Sequence, residues 1–217
     1  MESRHTVLVV DDHPLFRKGV VQLLAMEPTI DVVGEAGNCA QALALADAHD
    51  PDLILLDLNL KDENGLAVLA ALKSDDPSRR VVMLTVSDAA EDLIGAIRAG
   101  ADGYLLKDME PEQLLDRVRA SLAGETVIGE TLAARLAGAL RQEAQDSVSG
   151  MRRDLALLTE REQQVLRCLA DGQSNKRIAR TLSITEGTVK VHVKNLLKKL
   201  NFRSRVEAAV WMAQQAH

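Results

Sequence analysis

The sequence predicts a doubly wound α/β domain, a five-stranded parallel sheet of order 2-1-3-4-5 flanked by helices, followed by a smaller all-α domain with a helix-turn-helix pattern. Three observations predict it. Short apolar runs alternate five times with Ala- and Leu-rich stretches of helical length between Thr6 and Ala123. Two of those runs stop on carboxylates, Thr6–Val10 at Asp11-Asp12 and Leu53–Leu56 at Asp57. The charge also divides along the chain. Residues 1–150 carry 13 Lys and Arg against 26 Asp and Glu, net −13, and residues 151–217 carry 13 against 6, net +7, which together return the −6 of the whole chain.

The strand candidates are Thr6–Val10, Ile30–Ala36, Asp52–Leu58, Arg80–Val86 and Gly103–Lys107. Leu53 to Leu56 has no polar alternation, so it reads as a strand covered on both faces, as in parallel sheets. Helices are expected from about Pro14 to Met26, Asn38 to Ala48, Gly65 to Lys73, Asp88 to Ala99 and Pro111 to Ala123. Pro111 suits a first helical position, and Asp88 with Glu91 three residues on resembles a capping arrangement. Residues 1–124 therefore read as one domain. Residues 125–154 read as a linker, with a short helix over Thr131–Leu140 and then a polar run from Arg141 to Gly150 that offers little to bury.

Residues 155–217 read as the second domain. Thr159 and Glu162 match a capping box that opens a helix to Ala170. A helix follows from Asn175 to Leu182, a longer one from Glu186 to Leu200, and an amphipathic piece from Arg205 to Gln214. An apolar content of 47% supports real cores, built from aliphatic side chains because aromatics are only 2%. No apolar leader or membrane-spanning run is legible, so a cytoplasmic protein without a membrane partner is expected. Cys39 and Cys168 lie far apart in helical patterns and are expected to be reduced thiols.

In sheets of this order the first and third strands are neighbours, and ligands collect beyond their carboxyl ends. Asp11, Asp12 and Asp57 then share one crevice, where their mutual repulsion calls for a cation; oxygen ligands on loops favour Mg²⁺. A carboxylate can also act as a nucleophile towards phosphorus, and Asp57 is the candidate. Thr85 and Lys107, at the ends of the fourth and fifth strands, would point into the same crevice to bind phosphoryl oxygens. Singly, each has a plainer role: a cap for the aspartates, a solvated surface for Lys107, strand propensity for Thr85. Their combination in chain order points to a site.

Asp11-Asp12, Asp57 with Asn59, Gly65, Thr85 with Ser87, and Lys107 preceded by Gly103-Tyr104 resemble the flavodoxin-like receiver domain of two-component response regulators. The resemblance implies that Asp57 accepts a phosphoryl group from a sensor histidine kinase. It also implies that Asp12, Asp57 and the Asn59 carbonyl hold Mg²⁺, that Asp11 assists through water, and that Thr85 and Tyr104 act as a switch. One departure stands out: Leu60-Lys61, followed by Asp62-Glu63, replace the usual Met-Pro.

On the helix from Glu186, Val189, Val193, Leu196 and Leu200 form an apolar stripe, while Lys190, Lys194 and Lys198 fall at about 100°, 140° and 180° from Val189, with Val191 beside them. Lysines reach guanine or phosphate and an aliphatic side chain suits a thymine methyl, so this face fits a major groove. Thr188, Lys199, Lys176 and Arg177 are further DNA-contact candidates, Lys199 for the backbone. Leu158–Glu162, Val165-Leu166, Ala170–Gly172, Ser174–Lys176, Ile178-Ala179 and Thr188–His192 resemble the LuxR-type (GerE) helix-turn-helix domain. A receiver joined to this domain resembles the NarL/FixJ class of transcription factors. Gly103–Leu114 and Ser204–Trp211 are most similar to its nitrate/nitrite-responsive members, which implies such genes as targets.

That resemblance implies promoter DNA bound by a homodimer, RNA polymerase as a partner, and no enzymatic turnover. The charge split across a short tether suggests that the acidic half covers the basic helix at rest. A phosphotransferase would need a second acid or base and a substrate pocket, neither of which is legible. A ligand-sensing LuxR-type regulator would need an apolar cavity in place of the acidic strand ends.

Overall fold

The computed structural model describes residues 4–61, 63–128 and 155–215. Strands β1 (His5–Val10), β2 (Ile30–Ala36), β3 (Leu53–Leu56), β6 (Val81–Thr85) and β7 (Gly103–Leu106) form a parallel sheet in the predicted order, β2-β1-β3-β6-β7. A sixth strand, β8 (Val127–Ile128), extends it beside β7; two residues are too few to carry a periodic signal. Between β3 and the third helix, β4 (Asn59–Leu60) and β5 (Glu63–Asn64) make a small antiparallel pair. It occupies the loop that lacks Met-Pro, although Asp62 and the side chain of Glu63 lie outside the described residues.

Every residue of β3 and β6 is buried, because helices cover both faces. Leu8, Val10, Ile54, Leu56, Val81 and Met83 face one side, packed with side chains of α2 (Cys39–His49), α3 (Gly65–Asp75) and α4 (Ala90–Ala99). Their neighbours Val7, Val9, Leu53, Leu55, Val82 and Leu84 face the other, under α1 (Pro14–Ala25) and α5 (Pro111–Ala123). This is the two-residue period of a strand read out as two half-cores. Asn38 and Asn64 cap α2 and α3 through their side chains. Asp88 does not cap α4. That helix starts at Ala90 with Ala89 as N-cap and no side-chain cap; Ser87 Oγ instead accepts from Ala89 N and donates to Asp92 at 2.5 Å, tying the preceding loop to the first turn.

The C-terminal helices are α6 (Glu160–Ala170), α7 (Asn175–Leu182), α8 (Glu186–Lys199) and α9 (Arg205–Gln215). The Thr159/Glu162 capping box is present on α6. Val165, Leu166, Leu169, Ile178, Val189, Val193, Leu196 and Phe202 form a core of their own, separate from both half-cores of the sheet. With its own apolar centre and caps, this segment can fold alone. Cys168 is buried and Cys39 half-buried, and neither is in a disulfide. The expected helix over Thr131–Leu140 and the polar tether lie outside the described residues.

Gly65 sets the distance between α3 and the end of β3. A Cβ there would lie 2.2 Å from the Asp57 carbonyl oxygen and 2.7 Å from that of Leu58. Gly65→Ala is therefore expected to lower the unfolding free energy by about 2–4 kcal/mol, since backbone must move. Urea denaturation followed by circular dichroism would measure it, and an unchanged midpoint would contradict this packing.

Candidate functional site

Five parallel strands place their carboxyl ends together, and the side chains of Asp11, Asp57 and Lys107 converge there. Asp57 N donates to Val10 O at 2.9 Å and Lys107 N to Thr85 O at 2.8 Å, so ladder bonds fix the backbone on which these groups stand. Lys107 Nζ lies 2.7 Å from Asp11 Oδ2 and 2.7 Å from Asp57 Oδ2, bridging two carboxylates that are each 2% exposed. It also sits 4.6 Å from the centroid of the Phe16 ring. Burial pushes the Asp57 carboxyl above its usual range, while Lys107 and the N–H of Asn59, 3.2 Å from Asp57 Oδ1, pull against it.

Asp12 and His13 complete the cluster. Ligand atoms of Asp11, Asp12, His13 and Asp57 lie within 4.8 Å of one another, close enough to share one metal ion. Asp12 Oδ1 is buried and makes no hydrogen bond, although His13 Nδ1 stands 2.8 Å away. A crowded set of hard oxygens with one orphaned acceptor fits a divalent cation. Asn59 is exposed, with its side chain at the rim of a basin of about 680 Å³ over the cluster. His13 is absent from the sequence-derived set; its place directly after Asp11-Asp12 was the available signal.

Thr85, the last residue of β6, is fully buried, and its Oγ1 accepts from Ser87 N at 3.1 Å. Tyr104 is also fully buried; its hydroxyl donates to Ser87 O at 3.0 Å, and burial raises its pKa to about 12. Thr85 and Tyr104 thus meet on the same loop, and that loop opens α4.

At the amino ends of the same strands lies the second domain. The predicted stripe of α8 is buried, and Thr188, Lys190, Val191 and Lys198 are exposed, with Lys194 half-buried. Lys176 and Arg177 are exposed on α7. Lys199 is also exposed, and its Nζ pairs with Glu162 of α6 at 2.7 Å. Lys190 Nζ pairs with Asp52 Oδ1 at 2.6 Å, and Lys194 Nζ pairs with Asp76 Oδ2. Burial works against ionisation of Asp52 and Asp76, yet these lysines and nearby hydrogen bonds hold both carboxyls below their usual range.

Backbone closes the contact elsewhere. Arg203 Nη1 donates to Arg98 O at 3.0 Å, at the end of α4. A Cβ on Gly100 would lie 2.8 Å from Arg203 O, and one on Gly124 would lie 2.4 Å from Ser174 Cβ. Sequence reasoning did not single out Asp52, Asp76 or Arg203 as partners, because nothing local marks a charge that serves a distant domain.

The chain thus joins an α/β domain with an acidic strand-end cluster to a helical domain with a basic helix-turn-helix. The response regulator receiver domain model matches residues 7–119, and the model for bacterial regulatory proteins of the luxR family matches residues 156–212. The chain belongs to the NarL/FixJ-type response regulators, DNA-binding transcription regulators of two-component systems. It is 51% identical to the nitrate/nitrite response regulator protein NarL of Escherichia coli K12, over 97% of this chain and 95% of that one. It is 50% identical to NarP of the same strain, over 96% and 94%. Among solved structures it is similar to the response regulator ChrA of a heme-sensing two-component system, with 31% identity, 99% and 98% coverage and a TM-score of 0.51. A LuxR-family response regulator from Aurantimonas matches with 29% identity, 64% and 99% coverage and a TM-score of 0.60. No described helix is long and apolar enough to cross a membrane.

Two substitutions at the acidic cluster should move stability in opposite directions. Lys107→Met leaves two buried carboxylates facing one another and is expected to remove about 2–4 kcal/mol. Asp57→Asn relieves the crowding and is expected to add about 1 kcal/mol, raising the thermal midpoint by a few degrees. Thermal melts in EDTA would test both, and a loss in both variants would mean that carboxylate crowding is not what limits this site.

Proposed function

We propose that this chain is a phosphorylation-controlled transcription factor whose DNA-reading lysines are masked until Asp57 is phosphorylated, with nitrate/nitrite-responsive promoters as targets. The observation that carries the reading is the pairing of Lys190 and Lys194 with Asp52 and Asp76. An ammonium held by a carboxylate is not available to a phosphate or a base edge.

Mg²⁺ would be held by Asp11, Asp12 and Asp57 with the Asn59 carbonyl; when bound, it screens charge on the oxygens of the incoming phosphoryl group. The Asp57 carboxylate attacks phosphorus of a phosphohistidine on the sensor kinase. The P–N bond breaks, the electron pair leaves with the imidazole, and an acyl phosphate forms. Lys107, already at Asp57, pairs with the new phosphoryl oxygens, and the Thr85 hydroxyl donates to one of them. The Thr85 hydroxyl can donate while still accepting from Ser87 N, so as Thr85 turns towards the phosphoryl group it draws the Ser87 loop, which Tyr104 holds at Ser87 O, along with it. Ser87 and Asp92 begin α4, and Arg98 and Gly100, which end it, carry Arg203 of the second domain. A displaced α4 pulls on that contact.

The contact is easily released. Its two lysine pairs are partly exposed, and such pairs contribute about 0.2–1 kcal/mol each. Once free, Lys190, Val191 and Lys194 read bases, while Thr188, Lys198, Lys176 and Arg177 contact the backbone. Lys199 serves the backbone only when it leaves Glu162. One helix reads a few base pairs, so the active form is a two-fold dimer on two half-sites, positioned to engage RNA polymerase.

DNA binding by the fragment 152–217 is expected to be about tenfold tighter than by the unphosphorylated whole chain, the equivalent of roughly 1.4 kcal/mol of masking. Mg²⁺ with acetyl phosphate should bring the whole chain to the fragment's affinity and should leave Asp57→Asn unchanged. Fluorescence anisotropy on promoter DNA measures all three. Equal affinities of fragment and resting chain would defeat masking, and a strictly monomeric complex by light scattering would defeat the dimer.

A further inference from the structure

We infer that the cleft between the two domains binds a phosphate-bearing small molecule, an inorganic oligophosphate or a nucleotide, gripped from one side by Arg80 and from the other by Arg205. The inference rests on the closed arrangement proposed above. The cleft encloses about 630 Å³, a size suited to a small ligand, and among the described residues seven Arg and Lys line it against four Asp and Glu.

Arg80 belongs to the sheet domain and Arg205 opens α9, so the two guanidiniums approach from different domains. Arg80 Nη1 donates to Ser121 O, while Arg205 donates to Gln173 O at 2.8 Å and to Asn175 Oδ1 at 3.3 Å. Among the described residues neither makes an ion pair with a carboxylate. The nearest acids are engaged elsewhere: Asp102 accepts from Lys73 Nζ at 2.6 Å and from Val81 N at 3.0 Å, and Asp52 from Lys190 and Thr6. Arg79, on the same wall, has a side chain only 9% exposed, with Nε and Nη1 buried and without partners.

Burial, and then the charge of Arg80, bring Arg205 down to about 9, which still leaves it charged at neutral pH. Two half-buried like charges without an anion between them are unfavourable, and a phosphate inserted between two planar forks relieves both. Such a ligand touches both domains only when they are closed. It therefore favours the masked form, and by reciprocity DNA binding weakens it in turn.

The test is calorimetric titration of the unphosphorylated full-length protein in EDTA, which removes metal from Asp57, with pyrophosphate and separately with ADP, against sulfate at matched ionic strength. Saturable 1:1 binding is expected, weakened about tenfold by Arg80→Gln and by Arg205→Gln, with Arg80→Lys in between. Tighter binding of ADP identifies a nucleotide, and equal binding identifies the phosphates alone. Pyrophosphate should also lower whole-chain DNA affinity beyond the sulfate control. No saturable binding, or binding that both glutamine variants retain, overturns the site. Because the two variants lie in different domains, misfolding of one leaves the other as the test. If masking itself fails, whole chain and fragment 152–217 bind DNA alike with or without pyrophosphate. If only the anion site fails, the whole chain stays weaker than the fragment and ignores pyrophosphate.

Discussion

The arrangement depends on one crowded point, where the ends of β1 and β3 bring carboxylates together and Lys107 from the end of β7 bridges two of them. Uncompensated, buried carboxylates protonate or push apart. A single ammonium, fixed by the ladder bond from Lys107 N to Thr85 O, keeps the cluster together. The fold supplies this geometry cheaply, because parallel strands point the same way and their ends form one rim.

The opposite rim is held differently. Its polar contacts are partly exposed lysine–carboxylate pairs, an arginine on a helix-terminal carbonyl, and two glycine caps against which the second domain rests. Gly100 and Gly124 have φ of 104° and 101°, so each combines a left-handed turn with a close approach that a side chain would block. Contacts of this kind are modest one by one. Helix α4 joins the two rims, with Ser87 and Asp92 at one end and Arg98 and Gly100 at the other.

Most of the architecture was legible because it rests on periodic apolar patterns. The five strands, their order and the helices of the second domain follow from runs such as Leu53–Leu56 and from the stripe Val189, Val193, Leu196, Leu200. What was missed has no such pattern. Strand β8 is two residues long, and α4 starts at Ala90 after an uncapped Ala89. At the acidic rim, Asp11, Asp12, Asp57, Thr85 and Lys107 were legible because each closes a strand or directly follows one. His13 was passed over because it sits one position further on. Asp52 and Asp76 were passed over because their partners are more than a hundred residues away. Lys199 lies on the outside as its helical angle predicts, while its pairing with Glu162 of another helix is a contact that no periodic pattern marks.

The two rims lie at opposite ends of the sheet, so the second domain leaves uncovered the basin lined by Asp12, His13 and Asn59 beside the acidic cluster. Whatever approaches the acidic rim therefore meets the same open basin whether or not the basic helices rest at the far end of the sheet.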